Sequence, residues 1–329
     1  MNKGVAAVIQ KLALRQARIL VVIVLLVLAM SACGGGRSRE SKPSELSSHT
    51  IVHDGLVRSY HLLVPSTYEE DRSTPLVLWL HGGGGNGRQM CVLRGGINEM
   101  AEEEGFIVVC PDGIEEHWND GRDIDQWRAH AEDIDDVGFL LALIEHLSSE
   151  YNIDADRVFI TGVSNGGKMS LRMACEAPHV FAAAAPVIAS LPVNLVCIPS
   201  QPISILIMNG TEDPLVPWDG GEVHFLRTEL GLALSTNEMV AFWVEANGCD
   251  SPPHVEQIPD LDPDDGTSIT RDVYSDCDAD TKVILYTVEG GGHTWPGGIQ
   301  YAPEFLVGRI SHDLHAGEVI WRFFEESVP

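Results

Sequence analysis

The stretch Thr161-Gly162-Val163-Ser164-Asn165-Gly166-Gly167 lies between a run of β-branched and aromatic residues, 157–160, and a segment with helical periodicity, 168–176. It contains the pattern G-x-S-x-G at a strand-to-helix junction. A serine in that setting occupies a sharp turn at the carboxyl edge of a parallel sheet, and its hydroxyl is exposed. The stretch therefore predicts an α/β protein in which Ser164 is a nucleophile.

Apolar runs and helical segments alternate along the rest of the chain. The runs are uninterrupted, as is typical of strands buried on both faces. They occupy 76–80, 106–110, 182–187, 203–208 and 283–288. This alternation predicts right-handed crossovers and a mostly parallel central sheet with helices on both faces. Asp54-Gly55, between the segments 50–53 and 56–64, predicts an antiparallel hairpin at the N-terminal side of the sheet.

Helix signals occur in four further segments. They are 88–104, a segment that follows a predicted N-cap at Asp133, 235–248 and 311–326. Ser235 and Glu238 have the spacing of a capping box, and Gly248 is a typical helix end. The last segment carries His312 and His315, which are therefore expected on a surface helix.

A serine hydroxyl needs a base to remove its proton, and that base needs an acid to orient it. His293 is the predicted base because it follows the last apolar run and lies among glycines that leave room for its ring. Asp213 is the predicted acid because it follows the run 203–208, and its neighbour Glu212 is the alternative. The chain order Ser164, Asp213, His293 is that of α/β-hydrolases.

The glycine run that begins after His81 has a predicted role in the same chemistry. Attack on a carbonyl creates an oxyanion, which is stabilised by the amide after the nucleophile and by an amide of the loop after the third strand. We assign these two donors to Asn165 and Gly83, with Gly84 as the alternative to Gly83. His81 itself is expected to make a structural hydrogen bond.

Five motifs follow one another in a characteristic order. They are Leu80-His81-Gly82-Gly83-Gly84-Gly85, Asp135-Asp136-Val137-Gly138-Phe139, the serine stretch with the run before it, Asn209-Gly210-Thr211-Glu212-Asp213-Pro214-Leu215-Val216-Pro217, and Gly291-Gly292-His293-Thr294-Trp295-Pro296-Gly297-Gly298. Together they resemble the polyhydroxybutyrate depolymerase family of secreted esterases, which contains or adjoins feruloyl and acetylxylan esterases. The resemblance extends from about Tyr60 to the end. It implies an α/β-hydrolase fold and a Ser164, Asp213, His293 triad; the family often has another residue where Gly84 stands.

The predicted activity is hydrolysis of carboxylic esters through an acyl-enzyme, without a cofactor. Hydroxyalkanoate oligomers, such as those of 3-hydroxybutyrate, are the first candidate substrates because no separate polymer-binding domain is visible. Feruloyl or acetylxylan esters of plant polysaccharide are the alternative. Trp127, Trp218 and Trp295 lie on loops predicted to surround the site, and we assign them to substrate binding, with ordinary packing as the alternative.

Other activities fit the same scaffold. A peptidase or an acyltransferase would share the fold and the nucleophile. A non-catalytic surface binding protein on a hydrolase scaffold is the alternative from another class. The presence of all three triad residue types together with the glycine run favours an enzyme.

The first 48 residues read as a signal and a tether. Residues 1–32 carry basic side chains, no acid and an apolar core, as in a secretory signal. Cys33 follows Ser31-Ala32 and is the predicted lipidation site of a bacterial lipoprotein. Met30 stands where such signals usually carry Leu, so ordinary cleavage and an uncleaved short anchor are the alternatives. Residues 33–48 are predicted to form a flexible tether, and 49–329 a single catalytic domain. The protein is thus expected to be extracellular or periplasmic, in contact with membrane only through its lipid.

The chain is strongly acidic. Its formal net charge is −27, and subtracting the four positive charges of Lys3, Lys11, Arg15 and Arg18 leaves −31 for residues 33–329. Nucleic acid and anionic membrane surfaces are poor partners for such a body. Small or oligomeric ester substrates are the expected partners, and the oligomeric state is left open.

The cysteines predict disulfides. Six of the seven remain once Cys33 is set aside, an even number in an exported chain. Proximity in sequence favours three pairs: Cys91 with Cys110, Cys175 with Cys197, and Cys249 with Cys277. The last pair would close the polar excursion 250–276, whose Asp260–Gly266 stretch departs from a calcium loop and predicts a solvated acidic loop instead, with no metal.

Overall fold

A ten-stranded mixed sheet forms the centre of the protein. The computed structural model describes residues 45–93, 97–225, 228–250 and 252–328. The predicted signal 1–32, the predicted lipidation site Cys33 and the tether as far as residue 44 lie outside these described residues. Within the described ranges, no helix has the length and apolar character needed to cross a bilayer.

Twelve strands are found in the described residues. In chain order they are β1 (Ser47–His53), β2 (Leu56–Leu63), β3 (Thr74–Leu80), β4 (Ile107–Pro111), β5 (Ile153–Val163), β6 (Ala183–Val187), β7 (Ser204–Gly210), β8 (Gly221–Phe225), β9 (Thr228–Ala233), β10 (His254–Gln257), β11 (Ser268–Tyr274) and β12 (Val283–Glu289). β8 and β9 pair with each other as a separate hairpin, and the other ten form the central sheet.

The central sheet has the order β1-β2-β4-β3-β5-β6-β7-β12-β11-β10. Its middle, from β4 to β12, is parallel. Both edges are antiparallel, with the hairpin β1–β2 on one side and β10–β11 on the other. The predicted fold class, a mostly parallel sheet preceded by an antiparallel hairpin, is confirmed. β1 begins at Ser47, two residues before the predicted domain boundary, because it pairs with β2 from there on.

Helices cover both faces of the sheet. In chain order they are α1 (Gly87–Leu93), α2 (Ile97–Glu104), α3 (Arg128–Ala131), α4 (Asp136–Glu150), α5 (Asn165–Glu176), α6 (Thr236–Ala246), α7 (Glu304–Val307) and α8 (Ala316–Glu326). β3 shows how the two faces are shared: Leu76, Leu78 and Leu80 pack in the core under α4, α5 and α6. Val77 and Trp79 point the other way, into the core under α1, α2 and α8. A strand buried on both faces needs apolar residues at every position, which explains the uninterrupted run.

One predicted helix boundary was wrong. The segment predicted as a helix over 88–104 contains α1 and α2, and residues 94–96 between them lie outside the described ranges. The N-cap of α4 is Asp135, whose Oδ1 accepts a hydrogen bond from the Gly138 N–H at 2.8 Å. Asp133 has a left-handed φ of 47° and is part of the turn that precedes this cap. The capping box of Ser235 and Glu238 is confirmed.

The last helix also begins later than predicted. α8 starts at Ala316, because the segment before it is held in extended form by the loop that carries His293. Arg309 pairs with Gly291 as a parallel bridge, and the Gly297 N–H donates to the Ser311 carbonyl at 2.8 Å. His312 and His315 are exposed as expected, but they precede the helix.

Four strands were missed by the sequence analysis. β10 and β11 lie in the polar excursion 250–276, on either side of the stretch predicted as an acidic loop, and β8 and β9 lie in a segment without a clear pattern. Every side chain of β10 is exposed. Backbone hydrogen bonds to a neighbour hold such edge strands, so their side chains need no apolar pattern.

All three predicted disulfides are present. They join Cys91 to Cys110, Cys175 to Cys197 and Cys249 to Cys277. Their sequence separations are 19, 22 and 28 residues, and the pairing is the one that sequence proximity predicted. Disulfides of this number are typical of proteins that fold in an oxidising compartment.

Candidate active site

Ser164 lies at the turn between β5 and α5 with φ 56° and ψ −115°. A left-handed backbone is uncommon for a residue with a side chain and costs of the order of 1–3 kcal/mol. The surrounding backbone holds it: the Ser164 N–H donates to the Val187 carbonyl at 3.0 Å, and the Ser164 carbonyl accepts from the Lys168 N–H at 2.8 Å. This is the strained strand-to-helix turn that the G-x-S-x-G pattern predicts.

The two glycines of the pattern allow the backbones to approach closely. A Cβ on Gly166 would lie 2.4 Å from the His81 carbonyl oxygen and 2.6 Å from that of Leu80. A Cβ on Gly162 would lie 2.6 Å from the backbone of Gly166. Real Cβ atoms do not come this close to backbone atoms, so only glycine fits either position.

Asp213 and His293 are hydrogen-bonded to each other. The distance from His293 Nδ1 to Asp213 Oδ2 is 2.7 Å, and both side chains are almost completely buried. The other carboxylate oxygen, Oδ1, accepts from the N–H groups of Leu215 and Val216 at 2.8 and 2.9 Å. Asp213 follows β7 and His293 follows β12, two adjacent parallel strands, which explains why their side chains meet.

The alternative acid, Glu212, has a different environment. Its side chain is 63% exposed, and its Oε2 lies 3.6 Å from Nη1 of Arg309. The structure therefore brings Asp213, and not Glu212, to the imidazole of His293.

Ser164 and His293 line one cavity of about 500 Å³. Among the described residues, no hydrogen bond joins the Ser164 hydroxyl to the His293 ring. In enzymes without bound substrate this contact is often long and shortens only in the complex. The two residues therefore share one cavity, and their roles as nucleophile and base stay predictions.

The glycine loop lies beside the serine turn. A Cβ on Gly83 would lie 3.8 Å from the Cβ of Asn165, so the backbones of the two predicted oxyanion donors are close. The Gly84 N–H donates to the Glu116 carbonyl at 2.9 Å. For the Gly83 N–H, no acceptor is found among the described residues. This difference favours Gly83 over Gly84 as the donor.

His81 holds the glycine loop in place. Its Nε2 accepts from the Gly113 N–H at 2.9 Å, so Nδ1 carries the proton and donates to the Gly82 carbonyl at 2.8 Å. Burial lowers the pKa of His81 to about 4, which keeps the ring neutral and this tautomer in place. The expected structural role of His81 is confirmed.

A buried polar cluster beneath the site was missed by the sequence analysis. Its centre is Asp120, which accepts from the Asn165 Nδ2 at 2.6 Å and from His130 Nε2 at 3.0 Å. Arg122 forms an ion pair with the same carboxylate at 2.8 Å. Burial alone would raise the pKa of Asp120, but Arg122 and His130 outweigh it and hold the pKa well below its usual range. Asp120 and Arg122 lie in the irregular loop before α3, His130 lies in α3 and Asn165 at the start of α5, and no sequence periodicity marks their contact.

The cavity has an aromatic wall. Trp127 stacks on His117 with ring centroids 4.1 Å apart and an interplanar angle of 17°. Trp127 also packs against the hairpin β8–β9, where it contacts the small apolar cluster of Val216, Val223 and Leu230. The hairpin therefore forms part of the cavity wall. Of the three predicted tryptophans, Trp127 is the one that lines the cavity.

The other two predicted tryptophans do not line it. Trp295 is 1% exposed, and its ring centroid lies 5.4 Å from that of Trp79 in the core under α8. Trp218 is half-buried against the core under α6. The burial of Trp295 does not fit its predicted role in substrate binding, because its side chain turns inward to the core. The assignment of Trp218 to substrate binding stays a prediction.

Lys168 is a further residue that the sequence analysis missed. It lies one helical turn after Ser164 on α5, and its side chain lines the cavity although the residue is only 1% exposed. Burial, and next the nearby Arg122 guanidinium, lowers the pKa of its amine to about 7. Residues four apart share a helix face, so this position could have been recognised from the sequence.

One carboxylate of the acidic loop, that of Asp265, is engaged within the protein, and Asp313 holds the loop from outside it. Asp265 accepts from Thr267 and from the His312 N–H, and Asp313 accepts from the Leu261 N–H. Within the described ranges, no group of three or more His, Cys, Asp or Glu side chains is arranged to hold a metal ion.

Comparisons with known proteins agree with this geometry. A sequence model described as esterase PHB depolymerase matches residues 58–191. The protein named "Putative esterase NocK", from Nocardia uniformis subsp. tsuyamanensis, is 33% identical over 281 residues, which cover 83% of this chain and 80% of that protein. Feruloyl esterase B from Piromyces equi is 29% identical over 239 residues, which cover 70% of this chain but only 41% of that protein.

Among solved structures, an acetyl xylan esterase from Aspergillus awamori superimposes with a TM-score of 0.55 at 18% identity, covering 85% of this chain and 99% of the other. That similarity shows a common α/β-hydrolase fold. The sequence similarity to the Nocardia uniformis protein extends over four-fifths of both proteins and includes the serine turn. The chain therefore belongs to the esterase PHB depolymerase family and is a carboxylic ester hydrolase.

Proposed function

We propose that the protein is a serine esterase whose triad is Ser164, Asp213 and His293. The observation that carries this proposal is the buried hydrogen bond of 2.7 Å between His293 and Asp213, in a cavity that also contains Ser164 on its strained turn. Asp213 accepts from Nδ1, which leaves Nε2 as the acceptor for the serine proton.

The reaction has two halves. His293 Nε2 takes the hydroxyl proton while Ser164 Oγ attacks the ester carbonyl, and the N–H groups of Gly83 and Asn165 stabilise the oxyanion. The imidazolium then gives its proton to the departing alcohol, which leaves the acyl group on Ser164. Water, deprotonated by the same imidazole, attacks the acyl-enzyme and releases the acid.

A fluorophosphonate probe tests the nucleophile. It should label Ser164 of the wild type, as located by mass spectrometry, and Ser164→Ala should lose both labelling and p-nitrophenyl butyrate hydrolysis, the latter by ~10⁴-fold or more. Ser73→Ala, at an exposed serine far along the chain from the site, is the control and should behave as the wild type. Labelling at another serine, or folded wild-type protein inert toward short esters, would instead favour a non-catalytic binding protein.

The first candidate substrates are hydroxyalkanoate oligomers, such as those of 3-hydroxybutyrate. The apolar lining of the cavity beside polar groups supports a short acyl chain that carries oxygen atoms. Feruloyl esters are the second candidate, supported by the stacked Trp127 wall and by the name of the Piromyces equi relative. Turnover of 3-hydroxybutyrate oligomers, methyl ferulate and acetylated xylan, compared as kcat/KM, separates these candidates; the highest value for methyl ferulate would overturn the first.

The N-terminal segment is proposed to export the protein and to attach it to a bacterial membrane through Cys33. The disulfides support export, since such bonds persist in oxidising compartments. Metabolic labelling with a palmitate analogue should mark the wild type and not Cys33→Ala. An unlabelled wild type with a free amino terminus after residue 32 would indicate ordinary cleavage.

A further inference from the structure

Lys168 places an amine inside the cavity without giving it a protein partner. Among the described residues, no acceptor lies within hydrogen-bond distance of its Nζ. A buried ammonium without an acceptor is costly, whereas a bound anion would offset that cost. The amine is therefore available to an oxygen atom of a substrate.

The neighbouring carboxylates are already engaged. Asp120 accepts from Arg122, His130 and Asn165, and Asp213 accepts from His293 and from two backbone N–H groups. Both lie close enough to favour the charged amine electrostatically, while Arg122 opposes it. Arg122 in turn is paired with Asp120, which leaves Lys168 as the cavity cation without a paired anion in the described part of the chain.

The position of Lys168 relative to the reacting atoms also suits substrate binding. Its backbone N–H is bonded to the Ser164 carbonyl, and helical side chains lean toward the N-terminus, so the amine lies on the face of α5 that carries Ser164. Apolar residues such as Ile188, Leu215 and Val216 line the same cavity. An ester could therefore place an apolar chain along these walls and a charged group at the amine.

We infer that Lys168 is a specificity-determining residue that binds a carboxylate of the substrate, so that the preferred esters carry a free carboxylate on the acyl or on the alcohol part. This inference rests on the proposed esterase function and narrows its substrate class. The terminal carboxylate of a short hydroxyacid oligomer has the required chemistry, whereas an acetyl ester of a neutral sugar lacks it.

Two pairs of substrates test the inference, each matched except for the carboxylate. The alcohol side is tested with the dimer of 3-hydroxybutyrate and its terminal primary amide, and the acyl side with the p-nitrophenyl monoester of adipic acid and p-nitrophenyl hexanoate. In at least one pair, the wild type should favour the carboxylate form in kcat/KM by about 10- to 100-fold, the size expected for a charge-assisted hydrogen bond.

Lys168→Met should abolish that ratio, mainly through KM. A structural role would lower turnover of both members of a pair and leave the ratio unchanged, which would overturn the inference. Lys282→Met is the control: this lysine is paired with Glu326 at 3.7 Å outside the cavity, and its loss should leave the ratio as in the wild type. Lys168→Gln provides a second variant if the Met variant folds poorly.

A wild type that shows no preference in either pair also overturns the inference, whatever the variants do. That outcome leaves the proposed function intact if p-nitrophenyl hexanoate is hydrolysed and Ser164 reacts with the fluorophosphonate. Failure of both of these reactions would instead overturn the proposed function itself.

Discussion

Asp213 and Glu212 are adjacent and carry the same charge, yet their side chains have opposite environments. Asp213 is buried against His293, and Glu212 is exposed beside Arg309. The difference arises because neighbouring residues in an extended turn point to opposite sides. Residue type and position in the chain made both plausible acids, and only the side-chain directions separate them.

Replacing the two acids by their amides should therefore have unequal effects. Asp213→Asn offers an amide where Nδ1–H of His293 needs an acceptor, so kcat for p-nitrophenyl butyrate should fall by ~10³- to 10⁴-fold. Glu212→Gln should change kcat by less than about threefold, since an exposed ion pair contributes little. Steady-state kinetics check both variants, and similar losses in the two would contradict the assignment of Asp213.

Lys168 should make stability depend on pH. Its pKa is about 7 in the folded protein and has its ordinary higher value in the unfolded chain, so above pH 7 the unfolded chain binds more protons at this residue. The free energy of unfolding should consequently rise from pH 7 toward pH 10 through this group, by up to about 1.4 kcal/mol per pH unit. Arg122, Asp120 and Asp213 are the charged groups that act on the amine.

The comparison with Lys168→Met isolates this effect, because other titrating groups are common to both proteins. Urea unfolding at pH 6, 7, 8 and 9 should show the variant as the more stable protein at pH 6, with an advantage that shrinks above pH 7. A difference that is constant with pH would show that the amine is not buried in the folded protein as described.

At the scale of elements, the serine turn depends on how closely β5, α5 and β3 approach one another. A side chain at Gly166 would meet the backbone carbonyls at the end of β3 and just beyond it. Backbone atoms cannot move aside as the end of a flexible side chain can. The close approach of these backbones therefore requires glycine at positions 162 and 166.

Gly166→Ala should lower the free energy of unfolding by about 2–3 kcal/mol through overpacking and should also displace Ser164. Gly55→Ala is the matched control, since Gly55 has a left-handed φ of 74° but no atom within 4 Å of an added Cβ. It should cost only the conformational strain of about 1 kcal/mol and leave turnover unchanged. Chemical unfolding and p-nitrophenyl butyrate hydrolysis, measured together, check both expectations; equal losses for the two variants would argue against close packing at the turn.

At the scale of the whole molecule, one disulfide lies at the edge of the sheet and another lies in the core. Cys249 and Cys277 enclose the strands β10 and β11 at the edge of the sheet. In the described residues, neither strand contributes to the cavity. Cys91 and Cys110 instead join α1 to β4 within a buried core.

Removing the edge disulfide should affect stability without affecting catalysis. Cys249→Ala with Cys277→Ala should lower the free energy of unfolding by roughly 3 kcal/mol, the loop-closure contribution, and leave kcat unchanged. Cys91→Ala with Cys110→Ala should cost more, because it also removes buried side-chain atoms from the core. Thermal unfolding and steady-state kinetics give the comparison, and a larger loss from the edge pair would contradict it.

The sequence by itself determined the fold class, the strand-to-helix turn at Ser164, the meeting of Asp213 with His293 and the disulfide pairs. Each of these depends on local pattern or chain order: uninterrupted apolar runs, glycines around Ser164, catalytic residues placed directly after strands, and cysteines close in sequence. These features can be recognised in the sequence alone because burial, tight turns and short loops each constrain residues that are close together in the chain.

Only the tertiary structure decided which side chains share the cavity. It placed Trp295 in the core, turned Glu212 to solvent, engaged the Gly84 amide and brought Asp120 to the side chain of Asn165. Side-chain direction depends on packing between segments far apart in the chain, and edge strands such as β10 depend on backbone pairing with a distant partner. Neither requirement leaves a periodic pattern in the residues that satisfy it.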